Sequence, residues 1–315
     1  MKAIIYRQYG DESVLEMTDL PIPQIGADEV LIKVYVAALN PKDVVIRKGL
    51  FKIVSGNQFP KQTAFDFSGV VVEVGANVTH LNPNDEVFGF LDGLYGGAAA
   101  EYLKAPANTL VLKPKNLSFE EAAALPLVSL TALQSLRDDA QAKAREHVCI
   151  QAASGGVGSV AVQIAKEMEL VVTSISSTRN LAFCKELGAD YTLSYQDTNV
   201  FQTDLKFDIF YQVFGRANYW TVRKRLTSKG RFVTLIPTFQ RFILVFLTRF
   251  LPIQRACVTI VRPNTKDLNL IKEWVEFGKL KPIVDSVFPL EDIQAAHRHI
   301  DSKHARGKVL LSVVK

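Results

Sequence analysis

Ala152-Ala153-Ser154-Gly155-Gly156-Val157-Gly158 is the stretch whose residue types and spacing speak most directly of chemistry. A short apolar run, Val148-Cys149-Ile150-Gln151, leads into it. A helical pattern follows, with Val157, Val160, Ala161, Ile164, Ala165 and Met168 on one face. A strand, a glycine turn and a helix start leave free backbone N–H groups and the positive end of a helix dipole aimed at one point, which suits a phosphate. Gly155 and Gly158 take the second and third glycine places of the dinucleotide fingerprint, and Ala153 stands at the first. Ser154, Gly155, Gly156, Val157 and Gly158 are therefore expected to hold a pyrophosphate.

The next strand should end beside the adenine ribose, about 20 residues past the fingerprint. It reads Leu170-Val171-Val172-Thr173-Ser174-Ile175, followed by Ser176-Ser177-Thr178-Arg179-Asn180. An NAD site would place an acid here for the ribose hydroxyls, yet no Asp or Glu occurs from Leu170 to Cys184. Two serines and an arginine offer donors and positive charge, which suit a 2′-phosphate. Ser176, Ser177 and Arg179 thus point to NADP. The same residues also read as a polar cap on a helix running from Arg179 to Leu187 and stopped by Gly188, and both roles can hold together.

These groups need a frame. Residues 1–120 read as short strands (Val30–Val36, Gly69–Val74, Glu86–Phe90, Glu101–Lys104) punctuated by Pro, Gly and Asn. Ser118-Phe119-Glu120-Glu121 is a capping box, and high helix propensity continues over Ala122–Leu136. Strands at 147–151, 170–175, 191–194, 207–212 and 230–236 then alternate with helices, which predicts an α/β fold with a parallel, doubly wound sheet. Asn269–Phe277 is a further helix ending at Gly278. The tail Lys308–Val313 is a strand able to pair back into the first, mostly β domain.

The 315 residues, 48% hydrophobic, suffice for two compact domains. Net charge is +5, and the basic excess reads as spread along the chain, with its densest run at Arg223-Lys224-Arg225. No nucleic-acid recognition motif accompanies it, so a nucleic-acid partner is not expected. Cys149, Cys184 and Cys257 lie far apart in apolar or helical surroundings, as buried thiols of a reducing, cytoplasmic setting do. The chain opens directly as a strand, Met1-Lys2-Ala3-Ile4-Ile5-Tyr6, without the pattern of a signal peptide.

Several short motifs in fixed order carry a resemblance. They are Asn40-Pro41-Lys42-Asp43, the run from Phe65-Asp66 to Val74-Gly75, Glu121–Leu127 with Leu130-Thr131-Ala132, the glycine turn with Gln163-Ile164-Ala165-Lys166, Leu187-Gly188-Ala189-Asp190, Gly278-Lys279-Leu280-Lys281-Pro282 and Ala305-Arg306-Gly307-Lys308. Together they resemble the medium-chain dehydrogenase/reductase superfamily, in its zinc-free, quinone oxidoreductase-like (zeta-crystallin-like) branch, over nearly the whole length. Within that branch the chain is similar to the envelope- and mitochondrion-associated plant and animal reductases. The resemblance implies a GroES-like catalytic domain (1–123 and 265–315) and an inserted Rossmann NADP-binding domain (124–264). It also implies a homodimer through the latter. The implied activity is hydride transfer from NADPH to a lipophilic quinone or an α,β-unsaturated carbonyl, with the nicotinamide in an interdomain cleft.

The resemblance also assigns residues. Asn40 faces the nicotinamide and the substrate carbonyl, where an amide donor could stabilise growing charge; an Asx turn before Pro41 is the plainer reading. Thr131 approaches the nicotinamide, or else simply starts a helix; Tyr195 touches the 2′-phosphate, or else packs at the surface; and Phe214 and Gly215 lie beside the nicotinamide. Asp43 reads as structural, holding Arg47. The chain departs from the family at Gln212, where an Asp is usual, and at Phe214, where a smaller residue is usual. Zinc-dependent cousins have a Cys where this chain has Leu39-Asn40-Pro41, and a Gly-His-Glu where it has Ala64-Phe65-Asp66, so no metal is expected. His297-Arg298-His299 reads as a surface helix end. Phe239–Leu251 is apolar, aromatic and edged by Arg, and too short to span a bilayer. It reads as a buried or dimer-facing helix, a lid over a greasy channel, or an interfacial membrane helix. A redox-inactive NADPH-binding sensor and a membrane-peripheral scaffold are the rival functions.

Overall fold

Alternation of apolar residues with short polar turns builds the first half of the chain as strands. The structure, a computed structural model, describes residues 1–215 and 217–314. The chain divides into two compact units, Met1–Leu127 with Arg262–Lys315, and Val128–Val261.

The first unit opens with β1 (Lys2–Tyr6), β2 (Glu16–Asp19), β3 (Glu29–Leu39), β4 (Lys61–Gln62), β5 (Asp66–Val74), β6 (Glu86–Phe90), β7 (Tyr102–Pro106) and β8 (Leu110–Leu112). Between β3 and β4 lie α1 (Pro41–Arg47) and α2 (Lys52–Ser55), and α3 (Phe119–Ala123) follows β8. The capping box holds: Ser118 Oγ accepts from the Glu121 N–H, and Glu121 accepts from the Ser118 N–H. The long helix expected over 122–136 is interrupted at Leu125, because Pro126 supplies no N–H and opens a new helix, α4 (Pro126–Leu133). That helix then widens to a π-helical turn over Gln134–Asp139.

The second unit holds β9 (His147–Gln151), α5 (Gly156–Glu167), β10 (Val171–Ser176), α6 (Leu181–Glu186), β11 (Tyr191–Ser194), β12 (Phe207–Gln212), α7 (Tyr219–Arg223), β13 (Leu226–Thr234), α8 (Phe239–Phe250) and β14 (Arg255–Val258). The six strands form one parallel sheet in the order β11-β10-β9-β12-β13-β14. The order reverses beside β9, the switch point of a doubly wound fold, where the glycine turn emerges. In this sheet β14 is the strand that sequence patterning missed, since its Arg255-Ala256-Cys257-Val258 carries no alternation, as it missed β2, β4, β8 and, later in the chain, the strand over 284–289.

The chain returns to the first unit with α9 (Thr265–Glu276), β15 (Val284–Pro289), α10 (Ile293–Asp301) and β16 (Lys308–Ser312). Strand β16 pairs antiparallel with β3, Val309 opposite Leu39 and Leu311 opposite Ala37, completing a seven-stranded sheet. The apolar sides of β1, β3, β5 and β16 and of α10 meet in one core around Ile4, Ile32, Phe67, Ile293 and Leu311.

Candidate functional site

The C-terminal ends of β11, β10, β9 and β12 lie side by side in the parallel sheet, and each carries residues singled out by sequence. Leaving β9, Ala152 adopts φ 63 and Gly155 caps α5. Gly158 sits where a Cβ would come within 2.1 Å of the Ala152 carbonyl oxygen, so only glycine lets the helix meet the strand. Gly155 is different: a Cβ there meets nothing closer than that same oxygen at 3.6 Å. Space is therefore open at the start of α5, with Gly156 and Val157 in its first turn. The Ser154 hydroxyl accepts from Asn180 Nδ2 at 3.0 Å, a contact between the β9 and β10 turns that sequence reading missed.

At the end of β10, Ser176 is buried and its hydroxyl donates to the Ser177 carbonyl at 3.2 Å, so that it serves the turn. Ser177 is half-buried at the start of the following 3-10 turn. Arg179 is exposed and has no hydrogen bond or ion pair among the described residues, leaving a free guanidinium at the turn. Tyr195 lies on the neighbouring strand end, its N–H donating to the Ser176 carbonyl at 3.0 Å and its ring exposed. Sequence reading also missed Asp197, whose carboxylate accepts from Thr178 Oγ1 at 2.9 Å. Hydrogen bonds from Ser194 and Thr178 hold its pKa below the usual carboxylate range.

At the end of β12 the departure from the family becomes intelligible. Gln212 is fully buried; its Nε2 donates to the carbonyls of Gly215 and Ala217, and its Oε1 accepts from Thr234 Oγ1 at 2.9 Å. A neutral amide can do both, whereas a carboxylate there would face two carbonyl oxygens. It shapes the loop that exposes Phe214 and holds Gly215 at φ 120. Thr131 is buried on α4.

In the first unit, Asn40 precedes α1 and is 2% exposed. Its Oδ1 accepts from Lys308 Nζ at 2.6 Å, and its Nδ2 donates to Asp66 Oδ2 at 2.7 Å. Lys308 also donates to Asp66 Oδ2 at 2.9 Å, and the Leu127 N–H donates to Asp66 Oδ1 at 2.6 Å. Lysine has no acceptor, so the amide can face it only through oxygen. The Asn40 side chain belongs to a buried Asn–Asp–Lys triad, beside its place as the N-cap of α1. Asp66 and Lys308 belong to the motifs of the resemblance, and the sequence alone assigns neither of them a place in the site. A lysine beginning an apolar strand and an acid inside the run Ala64–Ser68 were the available signals. Nearby, Lys42 Nζ lies 4.0 Å from the Phe65 ring centroid, and burial pulls its pKa down.

Two structural expectations are corrected. Asp43 does not hold Arg47: it accepts from the Asn40 N–H, Thr63 Oγ1 and the Ala64 N–H, while Arg47, fully buried, has Glu12 at 3.9 Å. Burial outweighs these hydrogen bonds and raises the Asp43 pKa. His297 is not at a surface: it is fully buried in α10, 3.5 Å from Thr63 Oγ1, and burial, helped by Arg47, pushes its pKa down to about 3. His299 instead pairs with Asp285 at 2.6 Å.

A β-rich unit joined in one chain to a doubly wound unit with a phosphate-ready turn is the architecture of a two-domain, nucleotide-dependent oxidoreductase. An alcohol dehydrogenase GroES-like domain profile matches residues 26–115, and a zinc-binding dehydrogenase profile matches residues 187–311. The NADPH-dependent alkenal/one oxidoreductase of Arabidopsis thaliana chloroplasts is 33% identical over 99% of this chain and 79% of its own. A chloroplast envelope quinone oxidoreductase homolog of the same plant is 31% identical over 99% of this chain and 98% of its own. The solved quinone oxidoreductase of Coxiella burnetii superposes with TM-score 0.92 at 32% identity, covering 100% of this chain and 99% of that one. The chain belongs to the medium-chain dehydrogenase/reductase superfamily, in its quinone oxidoreductase-like branch.

Two groups implied by this membership can be tested against the residues. The name of one matching profile implies zinc. Among the described residues no three His, Cys, Asp or Glu side chains stand where they could share an ion, and the three cysteines are buried and unpaired. These residues do not fit a zinc site. A dinucleotide fits: the space at Gly155 is open, Gly155 and Gly156 bring no side chain to the start of α5, and Arg179 is unpaired among the described residues.

Proposed function

We propose that this protein is an NADPH-dependent reductase of quinones or α,β-unsaturated carbonyls that works without zinc. The observation that carries the reading is the unpaired Arg179 guanidinium beside a glycine turn open at Gly155, with no acid on that turn. The relatives' names, which specify NADPH, alkenals or enones, and quinones, support the same chemistry.

In this reading Ser154, Gly155, Gly156, Val157 and Gly158 hold the pyrophosphate. Arg179 and Tyr195 hold the 2′-phosphate, with Ser177 at the turn and Ser176 fixing its backbone. Thr131, Phe214 and Gly215 border the nicotinamide. Bound NADPH supplies the hydride. Asn40 takes the role the resemblance implies, an amide donor to the substrate oxygen, and Asp66 and Lys308 are positioning residues that fix the amide orientation. The reading includes a homodimer and residence in a reducing compartment such as the cytoplasm, which the three unpaired thiols support.

The experiment is NADPH oxidation against a panel of quinones and of enones of graded chain length, with and without each acceptor. Acceptor-dependent turnover with at least one class is expected. Tight NADPH binding with no turnover on any acceptor would favour a redox-inactive NADPH sensor instead.

A further inference from the structure

The apolar side of α8 faces the wrong way for a helix of a globular core. At 3.6 residues per turn, Phe239, Phe242, Ile243, Phe246, Leu247 and Phe250 share one side, and all six are exposed, Phe239 at 80%, Phe246 at 64% and Phe250 at 70%. The opposite side meets the protein. Leu244 and Val245 pack against the core around Phe210 and Phe232. Buried Thr248 accepts from the Ala256 N–H at 3.0 Å, and Arg241 donates to Thr234 Oγ1 at 2.8 Å and to the Ile236 carbonyl. The reading of this segment as a buried helix therefore fails: its more polar side is inside.

Charge distinguishes the possible coverings of that face. No Asp or Glu occurs between Asp208 and Asp267, a stretch with eleven Lys or Arg. The rest of the chain then holds 26 basic and 32 acidic residues, so the entire positive excess comes from this one stretch, contrary to the even spread read from composition. Arg249, beside the aromatic side of α8, and Arg255, on the edge strand β14, are exposed and have no ion-pair partner among the described residues. After α8, Gln254 connects to a basic depression lined by Lys206, Trp220, Arg223 and Lys224.

We infer that α8 is an interfacial anchor that lays its phenylalanine side into an anionic lipid bilayer, with the surrounding arginines and lysines on the headgroups. The combination of an outward aromatic face and flanking cations is what such a surface recognises. Arg225 and Arg231 of this stretch already pair with Asp204 and Glu146. Arg249 and Arg255 beside the phenylalanine side have no ion-pair partner among the described residues, and anionic headgroups would supply it. The homodimer of the proposed function then uses a surface other than α8. No helix among the described residues is long and apolar enough to cross a membrane, so the contact is with the surface.

The test is co-sedimentation of the full chain with vesicles of phosphatidylcholine alone or mixed with phosphatidylglycerol, together with mass in solution. Binding to the anionic vesicles alone, weakened by salt, is expected. The Phe242→Ser/Phe246→Ser variant should lose about tenfold or more in affinity. Arg249→Gln/Arg255→Gln should reduce the preference for anionic lipid. Both replace exposed side chains, and an unchanged unfolding midpoint shows that the fold is intact. Absence of binding to anionic vesicles, or binding indifferent to the phenylalanine pair, would overturn the inference. So would a dimer that the phenylalanine variant splits in a protein that ignores vesicles, or capture of duplex DNA in their place.

Discussion

Lys308 and Asp66 form an ion pair with side chains 5% and 0% exposed, and Asn40 closes it into a triad. Removing one partner strands the other charge in the interior, which costs about 3–5 kcal/mol, far more than the pair itself is worth. Lys308→Met should therefore lower stability by roughly that amount, and adding Asp66→Asn should recover part of it; denaturant unfolding of the single and double variants checks this. A loss no greater in the single than in the double variant would mean the pair is not coupled. Arg179 is a different case, being free in the structure. Arg179→Ala should leave stability unchanged and weaken NADPH about tenfold to a hundredfold, as loss of a charge-assisted contact does, while NADH is little affected. Titrating both cofactors decides it, and NADH bound as tightly as NADPH by the unaltered protein would defeat the assignment. His297 bears on pH. Its folded pKa is depressed, to about 3 from 6.5, so the unfolded chain binds the extra proton between those values. Stability contributed there is present above about pH 6.5 and lost as pH falls toward 3, at up to about 1.4 kcal/mol per pH unit. His297→Gln should flatten that slope in unfolding free energy measured against pH; an unchanged slope would show that other groups carry it.

At the scale of elements, the β9–α5 junction divides its glycines by duty. Gly158 is where helix meets strand, with the Ala152 carbonyl oxygen 2.1 Å from any added Cβ. Gly158→Val should abolish NADPH binding and loosen the second unit while the first unit keeps its fold. Gly155→Ala has room, its Cβ at 3.6 Å from the nearest atom, and a backbone φ of −82 that any residue adopts. It should unfold at the same temperature as the unaltered protein. Any fall in its NADPH affinity then reports on the approach of the pyrophosphate and not on the fold. Calorimetric unfolding and cofactor titration of the two variants separate the duties, and an equal loss of stability in both would contradict the division.

For the molecule as a whole, the ligand types decide whether metal enters. Asn40 and Phe65 stand where zinc-dependent cousins have ligands, and the described residues offer no alternative cluster. Turnover should survive exhaustive chelation, and metal analysis should find no stoichiometric zinc. Activity lost on chelation and restored by zinc would reverse this.

What the sequence determined by itself was whatever local pattern controls. The glycine turn, the capping box at Ser118, the βα alternation and the returning tail strand were legible because backbone sterics and hydrophobic period act over a few residues. The serine–arginine tip was legible because it follows its strand directly. Tertiary structure decided what depends on residues far apart in the chain. Asn40, Asp66 and Lys308 meet across 268 positions of sequence separation. Gln212 looked like a loss until its partners Gly215, Ala217 and Thr234 gave its amide three hydrogen bonds. His297 looked exposed because its neighbours are charged, yet helix α10 turns it inward. The aromatic pattern of α8 was plain in the sequence, but whether that side faced core or surroundings was not. Periodicity gives a helix its faces, and only packing says which of them is covered.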